Sequence, residues 1–268
     1  MGSFKVNLVS CEWSDFATGD AGGDLVSLYA YLKGISQYQA ARELLGNAKN
    51  IIPFAPKVPK APKVNENSLS DYVGKIWRGC GGDNSIVAAY LKSRGITGAI
   101  PPTIKEHSSL YHKPSNSKHP AMVAAVTIWP NKTILGLHRT YIKPDGSGKA
   151  NIEPNKMMLG SVKGGAVRLS KPSSKLILAE GIETALSVAM STGLSTWATL
   201  STSGMLNVEV PPLEITQKII IAADNDKAGI GAANKLADRL LSAGYRVQIA
   251  MPPEGMDFND LLQGQNNE

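Results

Sequence analysis

Two carboxylates, Asp224 and Asp226, are the residues of this sequence whose type and spacing most directly indicate chemistry. If strand geometry continues through them, both side chains project in the same direction. Carboxylates this close repel each other, and each raises the pKa of its neighbour unless a cation neutralises them. Cations that bind oxygen ligands, without help from His or Cys, are typically Mg²⁺ or Mn²⁺. Such ions suit phosphoryl transfer, because they can activate an attacking oxygen and stabilise a leaving one.

The segments around these acids predict which further carboxylates could join them. After Ser170, strand-like apolar runs alternate with helix-like segments, and strands joined by single helices form a parallel sheet with helices on its faces. Binding sites in such sheets lie at the carboxyl ends of the strands. The apolar runs before Asp224, Glu180 and Asp257 all lead to that edge. We therefore expect one metal site, formed by Glu180, Asp224, Asp226 and Asp257.

Two alternatives compete with a metal site at this edge. Acids after strands often cap helices or keep loops soluble, which would explain a single Asp better than the whole set. The GIGAAN segment after Asp226 is similar to a dinucleotide-binding turn, but it lacks the third glycine. We expect Gly229 and Gly231 instead to let the next helix pack closely on the sheet. Glu183, in the first turn of a predicted helix, is expected to interact with the positive helix end.

The chain divides by composition into four segments, 1–47, 48–67, 68–172 and 173–268. The first predicts a short hairpin followed by two helices, capped by Asp24 and Ser36. The second alternates proline with lysine and is predicted to be an extended linker. The third contains two predicted helices and then the strand-like segments AMVAAVTIW, TILGLHRTYI and AVRLS. The fourth holds the alternating strands and helices.

Composition limits the classes of partner and compartment. The formal net charge is +6, but four lysines and no acid fall between residues 47 and 65, so the charge is weak evidence for a nucleic-acid partner. Neither cysteine, Cys11 or Cys80, has a second Cys or His at metal-ligand spacing. No apolar run reaches the roughly 20 residues of a membrane span, and the N-terminus lacks a secretory signal. We expect a cytoplasmic protein without zinc, disulfides or membrane contact.

Three motifs resemble, in the same order, those of the Toprim domain of primases. They are LAEGIETALS, AADNDKAGIGAA and PPEGMDFNDLL, within residues 174–263. Upstream segments such as YLKSRGIT and LGLHRTYI look like the domain that precedes Toprim in primase-like proteins of phages, plasmids and other mobile elements. The N-terminal segment is similar to the end of a primase zinc-binding domain. The resemblance implies an α/β fold: a Rossmann-like Toprim domain with a central parallel sheet, preceded by a mixed α+β lobe and a small module of a hairpin and helices.

The resemblance also implies roles for individual residues. Glu180 would be the general acid/base and would act in catalysis with Asp224 and Asp226. These three acids and Asp257 would bind Mg²⁺ or Mn²⁺. A facing surface, near nucleotide phosphates or template, would be formed by His138, Arg139, Lys149 and Lys156. The alternatives for that surface are a hydrogen-bonded histidine at a domain interface and solvated loop lysines.

The sequence departs from the family pattern in places. The cysteines and histidine expected before the N-terminal hairpin are absent, so the zinc ribbon is truncated and no zinc is expected. Thr184 stands where many primases have an acid, and Met256 where a Lys often precedes the last Asp. These departures leave the acids of the metal set in place.

The implied activity is that of a DNA primase, a nucleotidyltransferase that makes short RNA primers from NTPs on single-stranded DNA. A separate replicative helicase is a further expected partner. Two other functions stay open: a Toprim nuclease or other phosphotransferase with the same acids, and a catalytically silent nucleic-acid-binding accessory protein of a mobile element. A topoisomerase is disfavoured because it would need a nucleophilic Tyr in a separate DNA-binding domain, and no such domain is recognisable in the sequence. The tyrosines that could be that nucleophile are better explained as helix or strand residues; they are Tyr72, Tyr90 and Tyr141.

Overall fold

The computed structural model describes residues 4–7, 11–15, 17–18, 20–45 and 71–265. These residues belong to two compact units, Met1–Ala61 and Pro62–Glu268. The predicted linker, residues 48–67, lies outside the described residues. The boundaries of the four predicted segments stay predictions.

The N-terminal unit contains a small antiparallel sheet and two helices. Its strands pair in chain order, as β1 (Phe4–Val6), β2 (Trp13–Asp15) and β3 (Asp20–Gly22). The predicted hairpin therefore has one strand more than expected. The helices are α1 (Leu25–Lys33) and α2 (Gln37–Leu45). Asp24 caps α1 and Ser36 caps α2 as predicted, because each side-chain oxygen accepts from a first-turn amide, at 2.7 and 3.2 Å.

The second unit begins with a lobe of two helices and an antiparallel sheet. The helices are α3 (Asp71–Gly79) and α4 (Ser85–Ser93). The strands pair in chain order, as β4 (Ile104–His112), β5 (Ser117–Thr127), β6 (Ile134–Tyr141) and β7 (Lys156–Gly160). Two of the segments with strand composition correspond to β5 and β6, whereas β4 and β7 lie outside all of them.

The remaining elements form a five-stranded sheet with helices between its strands. In chain order they are β8 (Val167–Arg168), β9 (Lys175–Ala179), α5 (Ile182–Thr192), β10 (Ser195–Ala198), α6 (Thr202–Asn207), β11 (Lys218–Ala222), α7 (Lys227–Ser242), β12 (Arg246–Ala250) and α8 (Phe258–Gln265). The strand order is β12-β11-β9-β10-β8, and all neighbours are parallel except β10 and β8. The predicted α/β fold with a central parallel sheet is confirmed. No helix in the described ranges is long and apolar enough to cross a membrane.

Side chains of β9 alternate between two cores. Leu176 and Leu178 pack in a core with residues of α7. Ile177, on the other face, packs in a core that also contains Tyr90 of α4 and Met122 of β5. Burying each large apolar side chain contributes roughly 1.5–3 kcal/mol. This second core, called the shared core below, therefore holds the lobe against the parallel sheet.

Candidate active site

The carboxyl ends of β9 and β11 place two of the predicted metal ligands next to each other. The strands are parallel neighbours, with Ala179 opposite Ala222 at their ends. Glu180 directly follows β9, and Asp224 follows β11 after one intervening residue. Both line one cavity of about 330 Å³, and Asp257, which follows β12, lines it too. We call it the acidic cavity.

Asp226 caps a helix, which is the alternative that the sequence left open for acids after strands, and its role as a metal ligand stays a prediction. β11 ends at Ala222, so strand geometry does not continue through Asp224 and Asp226. The Asp226 carboxylate instead caps α7 by accepting from the Gly229 amide at 2.7 Å. It does not line the acidic cavity. After burial, its charge is the next cause of the raised pKa of Asp224, so it still influences the cavity electrostatically.

Gly229 allows α7 to begin close to Asp224. An added Cβ at Gly229 would lie 2.5 Å from the Asp224 carbonyl oxygen, which is too close for a real side chain. The glycine thus permits the close packing predicted for it. The same prediction is wrong for Gly231, because an added Cβ there would meet nothing within 4 Å.

Burial and mutual repulsion disfavour bare carboxylates in the acidic cavity. Burial raises the pKa of Glu180, and the charges of Asp224 and Asp226 raise it further. Burial also raises the pKa of Asp224, with Asp226 and Asp257 adding to the effect. Asp224 Oδ1 is buried and has no hydrogen-bond partner among the described residues. A bound cation would relieve both the repulsion and the missing contact.

The ligand atoms of the acidic cavity fit a hard divalent cation. Glu180, Asp224 and Asp257 offer only oxygen, which Mg²⁺ and Mn²⁺ prefer. Nowhere in the described ranges do three or more His, Cys, Asp or Glu residues form a group that could hold an ion by themselves. Mg²⁺ commonly binds through one or two carboxylates and keeps several waters. The acids of this cavity do not form such a compact group, but one or two of them are enough to hold an ion that keeps its waters.

Glu183 has surroundings that its predicted role at the helix end does not explain. It lies in the first turn of α5 but is buried, with 7% of its surface exposed. Its Oε1 accepts a hydrogen bond from the Tyr90 hydroxyl at 2.8 Å, and its Oε2 pairs with Lys156 Nζ at 3.2 Å. Burial alone would raise the pKa of Glu183, but Lys156 and Tyr90 outweigh it and lower the pKa to about 2. Glu183 therefore stays ionised and binds two residues of the lobe.

The lobe side of the acidic cavity carries most of the residues predicted to face a nucleotide or template. His138, Lys149 and Lys156 all line it. Burial, followed by the charge of Lys156, lowers the pKa of His138 to about 4, so this histidine is neutral at pH 7. The same two causes lower the pKa of Lys149. The cavity thus has acids on one wall and basic residues on the other.

Arg139 is not brought to the acidic cavity. Successive side chains of a strand point to opposite faces, so Arg139 and His138 of β6 face different sides of the lobe sheet. Arg139 is buried, and its Nη2 donates to the Met158 carbonyl at 2.9 Å. Its Nε has no hydrogen-bond partner in the described part of the chain. The predicted phosphate contact of Arg139 has no support from this position.

Two further residues line the acidic cavity although no sequence pattern pointed to them. Arg94 follows α4, and its Nη2 lies 3.9 Å from Asp257 Oδ2. Leu200 follows β10 with φ at 74°, where glycine is favoured. Its amide donates to the Glu180 carbonyl at 2.8 Å. Strained residues of this kind cluster at functional sites, but a sequence carries no signal for a φ set by tertiary contacts.

Comparison with protein families assigns the C-terminal part of the chain. Residues 175–268 match the family model described as the Toprim domain. This part of the chain is a Toprim domain. The Toprim domain contains all four predicted metal ligands, Glu180, Asp224, Asp226 and Asp257. Residues 68–169, which include the lobe, match a model described as a domain of unknown function, DUF7146. No curated protein matches the chain.

Solved structures similar to the chain include three primases. The zinc-binding and RNA polymerase domains of Aquifex aeolicus primase are 20% identical, with 98% of this chain and 72% of that chain covered and a TM-score of 0.43. A DnaG primase catalytic domain bound to ssDNA is 12% identical, with 73% and 75% covered and a TM-score of 0.45. The primase fragment of the bacteriophage T7 primase-helicase is 17% identical, with 72% and 69% covered and a TM-score of 0.44. Of another DnaG catalytic core, this chain covers 49%.

Proposed function

We propose that this chain is a primase-type nucleotidyltransferase that joins NTPs into short RNA primers on single-stranded DNA. One observation carries the proposal: the acids of the Toprim domain and the basic residues of the lobe line the same cavity. Nucleotidyl transfer needs both, because phosphates must be held while charge moves between an attacking and a leaving oxygen. A separate replicative helicase is proposed as a further partner.

The acids would hold the metal and accept the proton that the attacking hydroxyl loses. Bound Mg²⁺ or Mn²⁺ would neutralise charge on the reacting phosphate and leaving pyrophosphate. Asp224, whose Oδ1 has no hydrogen-bond partner in the described part of the chain, and Asp257 would be protein ligands. Glu180, which lines the acidic cavity with Asp224, would hold metal and act as general acid/base. Asp226 accepts the Gly229 amide through Oδ1, so its Oδ2 would be the atom available as a further ligand. The same holds for Asp257, whose Oδ1 accepts from the Asp260 amide.

The lobe residues would bind phosphate groups. Lys149 lines the acidic cavity and has no carboxylate partner in the described residues. Lys156 is paired with Glu183, so a phosphate would share it with that carboxylate. Neutral His138 would donate one hydrogen bond to a phosphate or sugar oxygen without adding charge.

Incorporation of labelled NTPs on single-stranded DNA, in Mg²⁺, Mn²⁺ or EDTA, tests the proposal. Glu180→Gln and Asp224→Asn should each lower the rate at least about a hundredfold, and EDTA should abolish it. Asp238→Asn is the matched control, since Asp238 is exposed on α7 and should leave the rate unchanged. An unchanged rate in the first two variants would overturn the proposal.

The same assay separates the alternatives. Cleavage of the DNA strand without incorporation would indicate a Toprim nuclease. Salt-sensitive binding that is indifferent to Mg²⁺ and to Glu180→Gln, without either reaction, would indicate an accessory nucleic-acid-binding protein.

A further inference from the structure

A second cavity in this unit lies among residues at the ends of β5, β6 and β8. Its volume is about 890 Å³, which is in the range of small-molecule binding sites. It shares no lining residue with the acidic cavity. We call it the tryptophan cavity, after Trp77 and Trp129 in its wall.

Planar groups form part of the wall of the tryptophan cavity. The ring of Trp129 packs against that of Trp197, with 6.2 Å between the centroids. The Arg168 guanidinium carbon lies 5.8 Å from the centroid of each of these two rings. Lys105 Nζ lies 4.5 Å from the centroid of Trp77. Aromatic faces with neighbouring cations stack well with nucleobases.

The charged residues of this wall are all cations. Lys132, Arg168 and Lys171 line the cavity, and no Asp or Glu of the described ranges does. None of the three pairs with a carboxylate in the part of the chain that the structure describes. Cations without a carboxylate partner attract an anion. Arg168 Nη2 donates to the Asn131 carbonyl, and the other N–H groups of its planar fork suit a phosphate group. The charge disfavours a purely apolar occupant such as a hydrophobic peptide.

Thr127 adds a buried polar atom that has no partner among the residues that the structure describes. The residue lines the tryptophan cavity and is 5% exposed. Its Oγ1 makes no hydrogen bond within the described residues. Buried hydroxyls are normally hydrogen-bonded, because burial without a partner is unfavourable. A ligand with a polar edge would supply the missing bond.

We propose that the tryptophan cavity is a nucleotide-binding site, separate from the acidic cavity. A nucleobase would stack on a tryptophan ring, Thr127 would hydrogen-bond to the base or sugar, and the cations would bind phosphate. The ligand is a free nucleotide or one nucleotide of a single strand, since both present this chemistry. The site needs no metal and no reaction, so it goes beyond the proposed primer synthesis and does not depend on it.

Equilibrium binding in EDTA tests this site, because EDTA removes metal-dependent binding at the acidic cavity. The probes are ATP and a short fluorescein-labelled oligothymidylate. Thr127→Val keeps the side-chain shape and removes only the hydroxyl, so it should fold normally. It should weaken binding of the recognised probe about three- to tenfold, the effect of one lost hydrogen bond.

A charge-reversal pair gives a second, independent test. Lys132→Glu combined with Lys171→Glu should weaken binding at least about tenfold and flatten its dependence on salt. Lys113→Glu combined with Lys235→Glu is the matched control, since both lysines are exposed and line neither cavity. The control should retain most of the affinity.

The outcomes separate the two sources of the ligand. Weaker binding of ATP alone identifies a free nucleotide, and weaker binding of the oligonucleotide alone identifies a strand; either supports the site. Unchanged binding of both probes in Thr127→Val and in the lysine pair overturns it. Glu180→Gln with Asp224→Asn should leave this binding intact, so failure of the proposed catalysis would be distinguishable from failure of this site.

Discussion

The Tyr90 hydroxyl on α4 donates a hydrogen bond of 2.8 Å to the buried Glu183 carboxylate on α5. Tyr90 is fully buried within the shared core, and Glu183 lines the acidic cavity. The bond therefore joins the lobe to the Toprim domain at the wall of the candidate site.

Tyr90→Phe should destabilise the protein. It keeps the ring but leaves one oxygen of the buried Glu183 carboxylate without its donor, which should lower the free energy of unfolding by about 1–3 kcal/mol. Denaturant titration measures the difference. Tyr111→Phe is the control, because Tyr111 is exposed and donates only to the exposed Asn116. Equal stability of Tyr90→Phe and the unmodified chain would contradict the prediction.

Glu183 should make stability depend on acid pH. Its pKa falls from the ordinary 4.5 to about 2 in the folded state. The unfolded chain therefore takes up the proton first, so the stabilisation is present above about pH 4.5 and is lost as the pH falls toward 2. Unfolding titrations at a series of pH values should show a shallower slope in this window for Glu183→Gln. Identical slopes would show that Glu183 does not cause the effect.

His138 should cause a second loss of stability on acidification, in a pH range above that of Glu183. Burial lowers its pKa from 6.5 to about 4, so the folded state disfavours the charged ring. The unfolded chain binds a proton near pH 6.5, and stability should fall as the pH drops from there to about 4. His138→Asn should remove this component and leave the one from Glu183. The measurement is the same titration, and a slope that persists in His138→Asn would contradict the assignment.

Divalent metal should stabilise the fold through Asp224. At a free Mg²⁺ concentration about 100 times the dissociation constant, binding adds about 2.7 kcal/mol to the free energy of unfolding. Asp224→Asn should lose most of this increment, whereas the exposed Asp238→Asn should keep it. In EDTA, Asp224→Asn should be at least as stable as the unmodified chain, since burial and repulsion raise the pKa of Asp224. Thermal unfolding with and without Mg²⁺ measures the increment. Equal shifts of the unfolding temperature in the unmodified chain and both variants would refute a role for Asp224.

The two glycines of α7 should respond to alanine in opposite directions. Gly231→Ala enters open space in a helix and should stabilise the protein by roughly 0.5–1 kcal/mol. Gly229→Ala would push against the Asp224 carbonyl and should destabilise it by about 1–3 kcal/mol. Denaturant titration compares the two. Similar effects at both positions would mean that α7 can move away from Asp224 freely.

The features predictable from the sequence are those that depend on neighbouring residues. The caps at Asp24 and Ser36 follow from residue type and position alone. The acids after the apolar run of β11 mark the end of a buried strand, and binding sites in parallel sheets lie at such ends. The structure places Glu180 and Asp224 at that edge. Local patterns were therefore sufficient for the parallel sheet and for the position of these acids.

The features that escaped prediction depend on distant contacts or broken periodicity. Glu183 is buried and accepts a hydrogen bond from Tyr90, which is 93 residues away in the sequence. In β4, a register shift between His107 and Leu110 interrupts the alternation that marks a strand. The side of the sheet on which Arg139 lies is not predictable from residue type, because type does not tell which face of a strand a residue occupies. For Asp226 the sequence left open a strand residue and a helix cap, because nothing local distinguishes the two, and the structure has the cap.

The shared core spans the junction between the two segments that match family models, 68–169 and 175–268. Separating a gene at that junction would leave Ile177 and Ile182 of one fragment, and Met122 of the other, facing water. Neither fragment should then be soluble when expressed alone. A transfer of this gene between genomes would therefore have to carry the lobe and the Toprim domain together.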